Sequence, residues 1–494
     1  MTQLVNLPQK PIHCNNLIGN EPSDPVGAKR VDVVSPYTGK AIGTVPMSGP
    51  DELNRAVEVA KRAFESWKTT PIRERTELLF RFRQIVLERI DDLSHLAAAE
   101  CGKTVAEARA GVLKGVEIIE FATSLQNMDD GAGLEVSRGV SCELRREPLG
   151  VVAGITPFNF PAMVPMWMYP TAITLGNCFI LKPSEKVPLT AELSGQLLRE
   201  AGYPPGVFQV VNGGREIVEA ICDHPDIEAV GFVGSTPVAK AVYVRASSNG
   251  KRALALGGAK NHFIVLPDAD PDVTVDGVVR SFTGCAGQRC MAASLMVAVG
   301  DVQPLIDKIV DHTKSMKLGV DMGAIIDKTA CERLQRDLDR AKEEGAKLVL
   351  DGRSTPAPSG YEGGNWLAPS IIDGATFDMD CANRELFGPV LSIVHVDTLD
   401  QAIALQGKSP YGNAYSVFTT RGATARYVAE HAEATMVGIN VGVPVPREPF
   451  SFGGSKASKF GSHDMTGWGG VDFWSRQKKI TTKWALQPDV TWMS

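Results

Sequence analysis

The sequence contains no apolar run approaching the ~20 residues a helix needs to cross a bilayer. None of its nine cysteines sits in a Cys-x-x-Cys pair. Cys14, Cys101, Cys142, Cys178, Cys222, Cys285, Cys290, Cys331 and Cys381 are scattered and odd in number. That distribution argues against a disulfide framework and against structural zinc, so no metal site is expected. A basic excess is missing too. The net charge of −6 leaves no footprint for nucleic acid or an anionic membrane. The first residues lack a basic segment followed by an apolar one and are not Arg-rich, unlike a secretory leader or a transit peptide. No internal repeat or low-complexity tract interrupts the chain. These absences predict a cytoplasmic protein with reduced cysteines.

What remains is ordinary globular material: 44% hydrophobic and 22% charged residues over 494 positions, enough for two or three domains. Leu53, Ala56, Val57, Ala60, Ala63, Phe64 and Trp67 recur at helical spacing, with Ser48 and Asp51 as N-terminal signals. Leu78, Leu79, Phe82, Ile85, Val86, Leu93 and Leu96 predict a second long helix. From about residue 140 the period changes. Val151 to Gly154, Cys178 to Leu181, Val207 to Val211 and Ala229 to Val233 read as buried strands. Helical stretches fall near Leu189 to Glu200, Glu216 to Cys222 and Val238 to Ala246. This alternation predicts a parallel, doubly wound α/β sheet whose strand ends suit a dinucleotide. A second α/β block starts near Asn261. The segments Val136 to Glu147 and Gly470 to Trp484 read as extended edges, candidates for pairing between subunits.

No Gly-x-Gly-x-x-Gly follows a strand. In its place stands Gly231-Phe-Val-Gly234-Ser235-Thr236, a strand running into a helix whose small residues would let backbone N–H groups approach a phosphate. An ordinary N-cap fits the same residues. Cys290 closes the Gly-containing stretch Phe282-Thr-Gly-Cys-Ala-Gly-Gln-Arg-Cys, and Asn159 lies in Ile155-Thr-Pro-Phe-Asn-Phe-Pro. A thiol nucleophile together with a side-chain amide suits carbonyl chemistry through a thio-linked intermediate. Cys285 is the competing cysteine.

These residues resemble the aldehyde dehydrogenase superfamily across essentially the whole chain. The matching pieces are Glu100-Cys-Gly-Lys103, Pro157-Phe-Asn-Phe-Pro161, Leu181-Lys-Pro-Ser-Glu185, Phe232-Val-Gly-Ser-Thr236, Gly287-Gln-Arg-Cys290, Glu385-Leu-Phe-Gly-Pro389 and Phe452-Gly-Gly-Ser-Lys456. Within it, Met163-Val-Pro-Met-Trp167, Gly258-Ala-Lys-Asn-His262, Arg289-Cys-Met291 and Val441-Gly-Val-Pro-Val-Pro446 resemble the CoA-acylating methylmalonate-semialdehyde (malonate-semialdehyde) branch. The resemblance implies a Rossmann-like NAD domain over residues 1–127 and 149–258 and an α/β catalytic domain over 259–469. It also implies oligomerisation segments at 128–148 and 470–494, forming a β-strand arm of a homotetramer.

By the same resemblance Cys290 is the nucleophile, and Asn159 with the Cys290 backbone N–H forms an oxyanion hole. Lys182 and Glu185 bind the adenosine ribose of NAD, Ser235 the pyrophosphate and Glu385 the nicotinamide ribose. Thr156, Phe158, Lys186 and Gly257 line the cofactor site. Lys114, where the family pattern has Arg, and Arg289 clamp the substrate carboxylate. Hydrolytic members carry Glu where this chain has Leu256. Leu cannot take a proton, and water (pKa near ~15.7) needs that help more than a thiol (pKa near ~8.5). The implied reaction is therefore NAD-dependent oxidation of methylmalonate or malonate semialdehyde with acyl transfer to coenzyme A, giving propionyl-CoA or acetyl-CoA and CO2. Two rivals stay open: CoA-independent oxidation of another anionic aldehyde to the free acid, and a non-catalytic scaffold retaining the fold.

Overall fold

The structure, a computed structural model, describes residues 4–25, 27–129 and 131–484. Residues 485–494 of the expected C-terminal oligomerisation segment lie outside the described residues. Two large sheets organise the chain. The first runs in the order Lys459–Phe460, Arg252–Leu256, Ile227–Val233, Val151–Ile155, Cys178–Lys182, Phe208–Val210, Asn16–Ile18 and Glu21–Ser23. Its five middle strands are parallel and its outer pairings antiparallel. The middle strands are almost wholly apolar because helices cover both faces of a parallel sheet. From Val151–Ile155 the chain winds outward through Cys178–Lys182 to Phe208–Val210. It then crosses back to lay Ile227–Val233 on the other side. Between Val151–Ile155 and Ile227–Val233 the winding reverses, and such switch points leave a crevice beyond the strand ends.

The second sheet holds Lys347–Leu350, Ser370–Asp373, Val390–Val396, Ala293–Val299, Asn261–Val265, Ala414–Phe418 and Met436–Ile439. All its pairings are parallel except the first. Cys290 lies just before its strand Ala293–Val299. Among the described residues no helix is long and apolar enough to cross a membrane.

Two readings need correction. The expected second long helix is two helices, Ile72–Glu88 and Ile90–Cys101. Arg89 leaves helical geometry (φ −103°, ψ 18°) and pairs with Asp92 at 2.5 Å, a first-turn acid that favours a new helix start. The first helix, Pro50–Trp67, starts where Ser48 and Asp51 signalled it, with Asp51 in its first turn. Glu52 accepts from the Gly49 N–H at 3.0 Å, while Ser48 accepts from Asn16. The extended segment before residue 148 is a hairpin, Ala132–Ser137 against Val140–Pro148, and among the described residues of the C-terminal segment only Ser475–Lys483 is strand. Gly467–Phe473 is helical, burying Val471 and Phe473.

One buried contact braces the loop after Cys178–Lys182. The helix Pro188–Glu200 has Val187 at its N-cap, with no side-chain oxygen to offer. Glu100, at the end of Ile90–Cys101, supplies it from a distance, accepting from Leu189 N at 2.9 Å and Thr190 N at 3.1 Å. Burial pushes the Glu100 carboxyl up to about 8, against the two N–H groups. Glu100→Ala should strand those donors, at about 1–3 kcal/mol, read as a lowered Tm. Glu100→Gln keeps an acceptor and loses less. A raised folded-state pKa means the parent's advantage is full below the unfolded carboxyl value and is lost as pH rises through about 8. The deficit of Glu100→Gln should therefore shrink between pH 5 and 8. A constant deficit would mean the carboxyl is already ionised at pH 5.

Candidate active site

A cavity of 620 Å³ opens at the switch point of the first sheet and runs to Cys290. Its walls come from the ends of both strands flanking the crevice, Ile155 and Thr156 on one and Phe232, Val233 and Gly234 on the other. Phe158, Asn159, Lys182, Glu185, Ser235, Gly257, Glu385 and Cys290 line it as well. So ten of the expected positions converge only if the rim is counted: Lys186 lies outside the lining, its ammonium 2.5 Å from Asp327 and 5.6 Å from the Phe158 ring.

The dinucleotide end has the physical features such a ligand requires. Ser235 is the N-cap of the helix Thr236–Ser248, yet its side chain makes no capping bond. The Thr236 and Val238 N–H groups (Pro237 has none) thus have no capping side chain at an end of the helix where Gly234, Ser235 and Val238 line the cavity, a setting that favours a phosphate. Gly258 has a reason as well. A Cβ there would fall 2.2 Å from Glu385 Oε2, so only glycine lets that carboxylate approach, with the Ala259 N–H donating to it at 3.0 Å. Lys182 and Glu185 pair at 3.3 Å. Burial lowers the Lys182 ammonium, partly offset by Glu185. Burial is the largest influence on Glu185 and opposes its ionisation, but the Lys182 charge, hydrogen bonds and the Lys186 charge together outweigh it and hold the carboxyl below its usual range. A carboxylate beside ribose hydroxyls would repel a 2′-phosphate, which favours NAD over NADP.

At the far end, Asn159 Nδ2 donates to the Gln288 carbonyl at 2.9 Å. The Cys290 carbonyl is held from two sides, by Asn261 Nδ2 at 2.8 Å and Asn413 Nδ2 at 2.9 Å. These bonds fix the backbone on either side of Arg289 and leave the thiol in the cavity wall. Gly287 (φ +68°) carries the turn, and a Cβ there would meet the Gly388 carbonyl at 2.1 Å, so the nucleophile loop and the Glu385 loop touch backbone to backbone. Cys285 is buried outside the cavity. Its N–H donates to Glu107 Oε1 at 2.6 Å, and its φ is +52°. It anchors the turn. Leu256 is buried at the end of Arg252–Leu256 and packs in the apolar core.

The expected carboxylate clamp is not assembled. Lys114, on the helix Val105–Met128, bonds Glu117 Oε2 at 2.8 Å, Glu448 Oε2 at 3.3 Å and the Pro446 carbonyl at 3.4 Å. Its ammonium is already neutralised. Arg289 turns away from the cavity and donates to the Arg280 and Ser281 carbonyls. Sequence reading also missed Arg333 and Arg384, which line the cavity and share the buried carboxylate of Asp337, and Asn413. Nothing in their local sequence marks them.

The site is dry enough to disfavour charge. Burial pushes the Cys290 thiol up to about 12, with the nearby Glu385 carboxylate adding to the effect and backbone N–H groups opposing it. Burial likewise pushes Glu385 up to about 7. In the protein without cofactor, alkylation of Cys290 by iodoacetamide, followed by peptide mass spectrometry, should accelerate about tenfold per pH unit from pH 7 to 10. A plateau below pH 9 would mean the thiol ionises more easily than its surroundings imply.

A model of the "Aldehyde dehydrogenase family" matches residues 24–480. The mitochondrial acylating methylmalonate-semialdehyde dehydrogenase of Arabidopsis thaliana is 43% identical over 484 residues, covering 97% of this chain and 80% of that one. Malonate-semialdehyde dehydrogenase 2 of Geobacillus kaustophilus is 41% identical over 477 residues, 95% of this chain and 98% of that one. A crystal structure from Sinorhizobium meliloti 1021, assigned as a methylmalonate-semialdehyde dehydrogenase and complexed with NAD, superposes with a TM-score of 0.95 at 39% identity, covering 97% of this chain and 99% of that one.

Proposed function

Because this chain belongs to the aldehyde dehydrogenase family, we propose that it oxidises malonate or methylmalonate semialdehyde with NAD and passes the acyl group to coenzyme A. The observation that carries the reading is the composition of one cavity. It has a cysteine thiol at its end and a side-chain amide fixed beside the thiol's loop. It has a helix N-terminus without a capping side chain at its mouth, and Leu256 instead of a base on the adjoining strand. The relatives named as acylating dehydrogenases agree with it, as does the NAD carried by the structural neighbour.

In this reading the unit built on the first sheet, residues 1–127 and 149–258, binds the dinucleotide. Lys182 and Glu185 take the adenosine ribose, Ser235 the pyrophosphate and Glu385 the nicotinamide ribose, with Thr156, Phe158 and Gly257 as walls and Lys186 at the rim. Residues 259–469 supply Cys290. NAD, when bound, is the hydride acceptor. The Cys290 thiolate adds to the aldehyde carbon. The new oxyanion rests on the Cys290 N–H and on an Asn159 amide hydrogen. An amide nitrogen has two hydrogens, and the Gln288 carbonyl takes one, which aims the other. Oxidation leaves a thioester on Cys290, and loss of the substrate's carboxylate as CO2, with a proton taken up at the carbon it leaves, makes the acyl group acetyl or propionyl. Leu256 offers no proton acceptor for water, so the thioester persists until the coenzyme A thiol attacks it, displacing Cys290 and releasing acyl-CoA.

The three-stranded sheet of 132–137, 140–148 and 475–483 supports a homo-oligomer, with a tetramer as our specific proposal. Its edge strand Ala132–Ser137 exposes Leu134 at 70% and Val136 at 53%, an apolar edge that a second copy would cover. Nine free cysteines suit a reducing cytoplasm.

Rapid mixing with NAD and aldehyde should give a burst of about one NADH per active site and then a slow phase, since acyl transfer lacks its acceptor. Coenzyme A should accelerate the slow phase and yield an acyl-CoA. Fast steady turnover to free acid without any thiol would exclude this reading and favour hydrolysis. Cys290→Ala should abolish NADH formation while NAD still binds, and an active Cys290→Ala would return the role to another cysteine. Asn159→Ala should slow the burst by roughly 10²–10³ with little change in NAD affinity. An effect below tenfold on a burst limited by chemistry would remove Asn159 from the oxyanion hole.

A further inference from the structure

Lys260 and His262 belong to the sequence motif Gly258-Ala-Lys-Asn-His262, and no step proposed above uses either. Both are enclosed, Lys260 at 3% exposure and His262 at 1%. Neither the Lys260 Nζ nor the two His262 ring nitrogens have a hydrogen-bond partner. Buried polar groups are normally satisfied, so an exception calls for a reason. Burial brings His262 down to about 3, and the neutral ring adds no charge. Lys260 differs. Burial lowers its ammonium only to about 8, so it keeps its charge at neutral pH, at a cost that no hydrogen bond offsets.

The groups around Lys260 leave one carboxylate without a counter-ion. Besides His262, the side chains acting on Lys260 are Cys381, Glu385, Arg384 and Asp337. Burial raises the Cys381 thiol and keeps it neutral. Asp337 is taken by two guanidiniums, Arg333 at 3.3 Å and Arg384. Glu385 pairs with no cation among the described residues, and its hydrogen-bond donor is the Ala259 N–H at 3.0 Å. A Cβ on Gly258 would fall 2.2 Å from its Oε2. The carboxylate thus rests on the two residues that lead into Lys260. An anion without a counter-ion and an ammonium without an acceptor sit on one short stretch of chain, each in the other's field. Of the other groups facing Glu385, Cys290 and Tyr411 are neutral and Arg333 is engaged by Asp337.

We propose that Lys260 is a positioning residue for the dinucleotide: from outside the cavity its ammonium keeps Glu385 ionised, as an acceptor for the nicotinamide ribose hydroxyls. A protonated carboxyl turns one oxygen into a donor and gives up part of its accepting capacity. A direct ion pair would also occupy the carboxylate and compete with the ribose. An ammonium that acts by its field alone, in a site where screening is weak, favours the charge and leaves the oxygens to the ligand. The inference rests on the reading of Glu385 as the nicotinamide-ribose contact.

The test is NAD affinity by calorimetry from pH 6 to 9, in the Cys290→Ala protein so that this thiol does not titrate. Removing the cation raises the Glu385 carboxyl further above its usual range, so the deficit lies below that raised value and fades above it. Lys260→Met should therefore weaken NAD binding by about threefold or more at pH 7. At pH 9 the gap should close to under about twofold, because Lys260, near 8, has by then lost its own proton in the parent. In a Glu385→Gln background Lys260→Met should change the affinity by less than about twofold at either pH. A smaller loss at pH 7, a loss undiminished at pH 9, or a loss that persists in the Glu385→Gln background overturns the proposal. Lys260→Gln carries the same expectations if Lys260→Met does not fold. If Glu385→Gln alone binds NAD as tightly as its parent at pH 8, Glu385 is no ribose contact; that reading fails on its own evidence and the inference falls with it.

Discussion

The hydrogen bond from Asn159 to the Gln288 carbonyl joins the two halves of the molecule at the point where chemistry is to occur. Asn159 follows a strand of the first sheet, and Gln288 precedes a strand of the second. Each sheet ends in a loop with its own backbone groups to satisfy. The amide spans the seam between them and sets their separation at the thiol. Asn261 and Asn413 repeat the device on the Cys290 carbonyl. Three side-chain amides thus hold one short loop without adding a formal charge, which matters in a cleft where an unpaired charge is expensive.

That dryness governs the titrating groups as a set. Cys290 near 12, Glu385 near 7 and Lys260 near 8 are all displaced toward their neutral forms, in each case first by burial. Where charge is kept, a partner is built in: Lys182 with Glu185, Arg333 and Arg384 with Asp337, Lys114 with Glu117 and Glu448. A neutral thiol is a poor nucleophile, so burial works against the reactive form of Cys290. A cation brought beside the sulfur would lower the cost of the thiolate.

Much of this was legible in the sequence. Buried strands announce themselves as short apolar runs, and Val151–Ile155, Cys178–Lys182 and Ile227–Val233 fall where those runs do. The motif residues Phe158, Asn159, Ser235, Glu385 and Cys290 converge on one cavity because each stands at or near a strand end or in a turn, where local pattern and position in the fold coincide. Position is what the structure supplies; their roles remain proposals. Lys114 and Arg289 are held by other partners here, for a physical reason. A sequence position gives a side chain's charge but not its counter-ion, and Glu448 is far from Lys114 along the chain. The partners of Arg289 escape the sequence similarly, since the carbonyls of Arg280 and Ser281 that hold it are invisible as acceptors in a string of letters. The break at Arg89 escaped because the apolar spacing runs straight across it. The lone signal was a pair of aspartates, which also suits a helix surface.

Leu256 shows how a missing group can direct a reaction. The thioester proposed on Cys290 has two possible acceptors. Water is abundant but must lose a proton as it attacks, and its pKa near ~15.7 makes that step depend on a base. A thiol near ~8.5 already supplies some thiolate at neutral pH. The burial that raises Cys290 and Glu385 also disfavours any charged base that the walls might otherwise offer. Glu385, whose carboxyl burial pushes up to about 7, is committed through one oxygen to the Ala259 N–H, on the far side of Gly258 from the strand that ends at Leu256. An apolar side chain at that strand end therefore does more than delete a catalyst. It keeps the apolar packing continuous up to the cavity and leaves attack to a nucleophile that brings its own acidity.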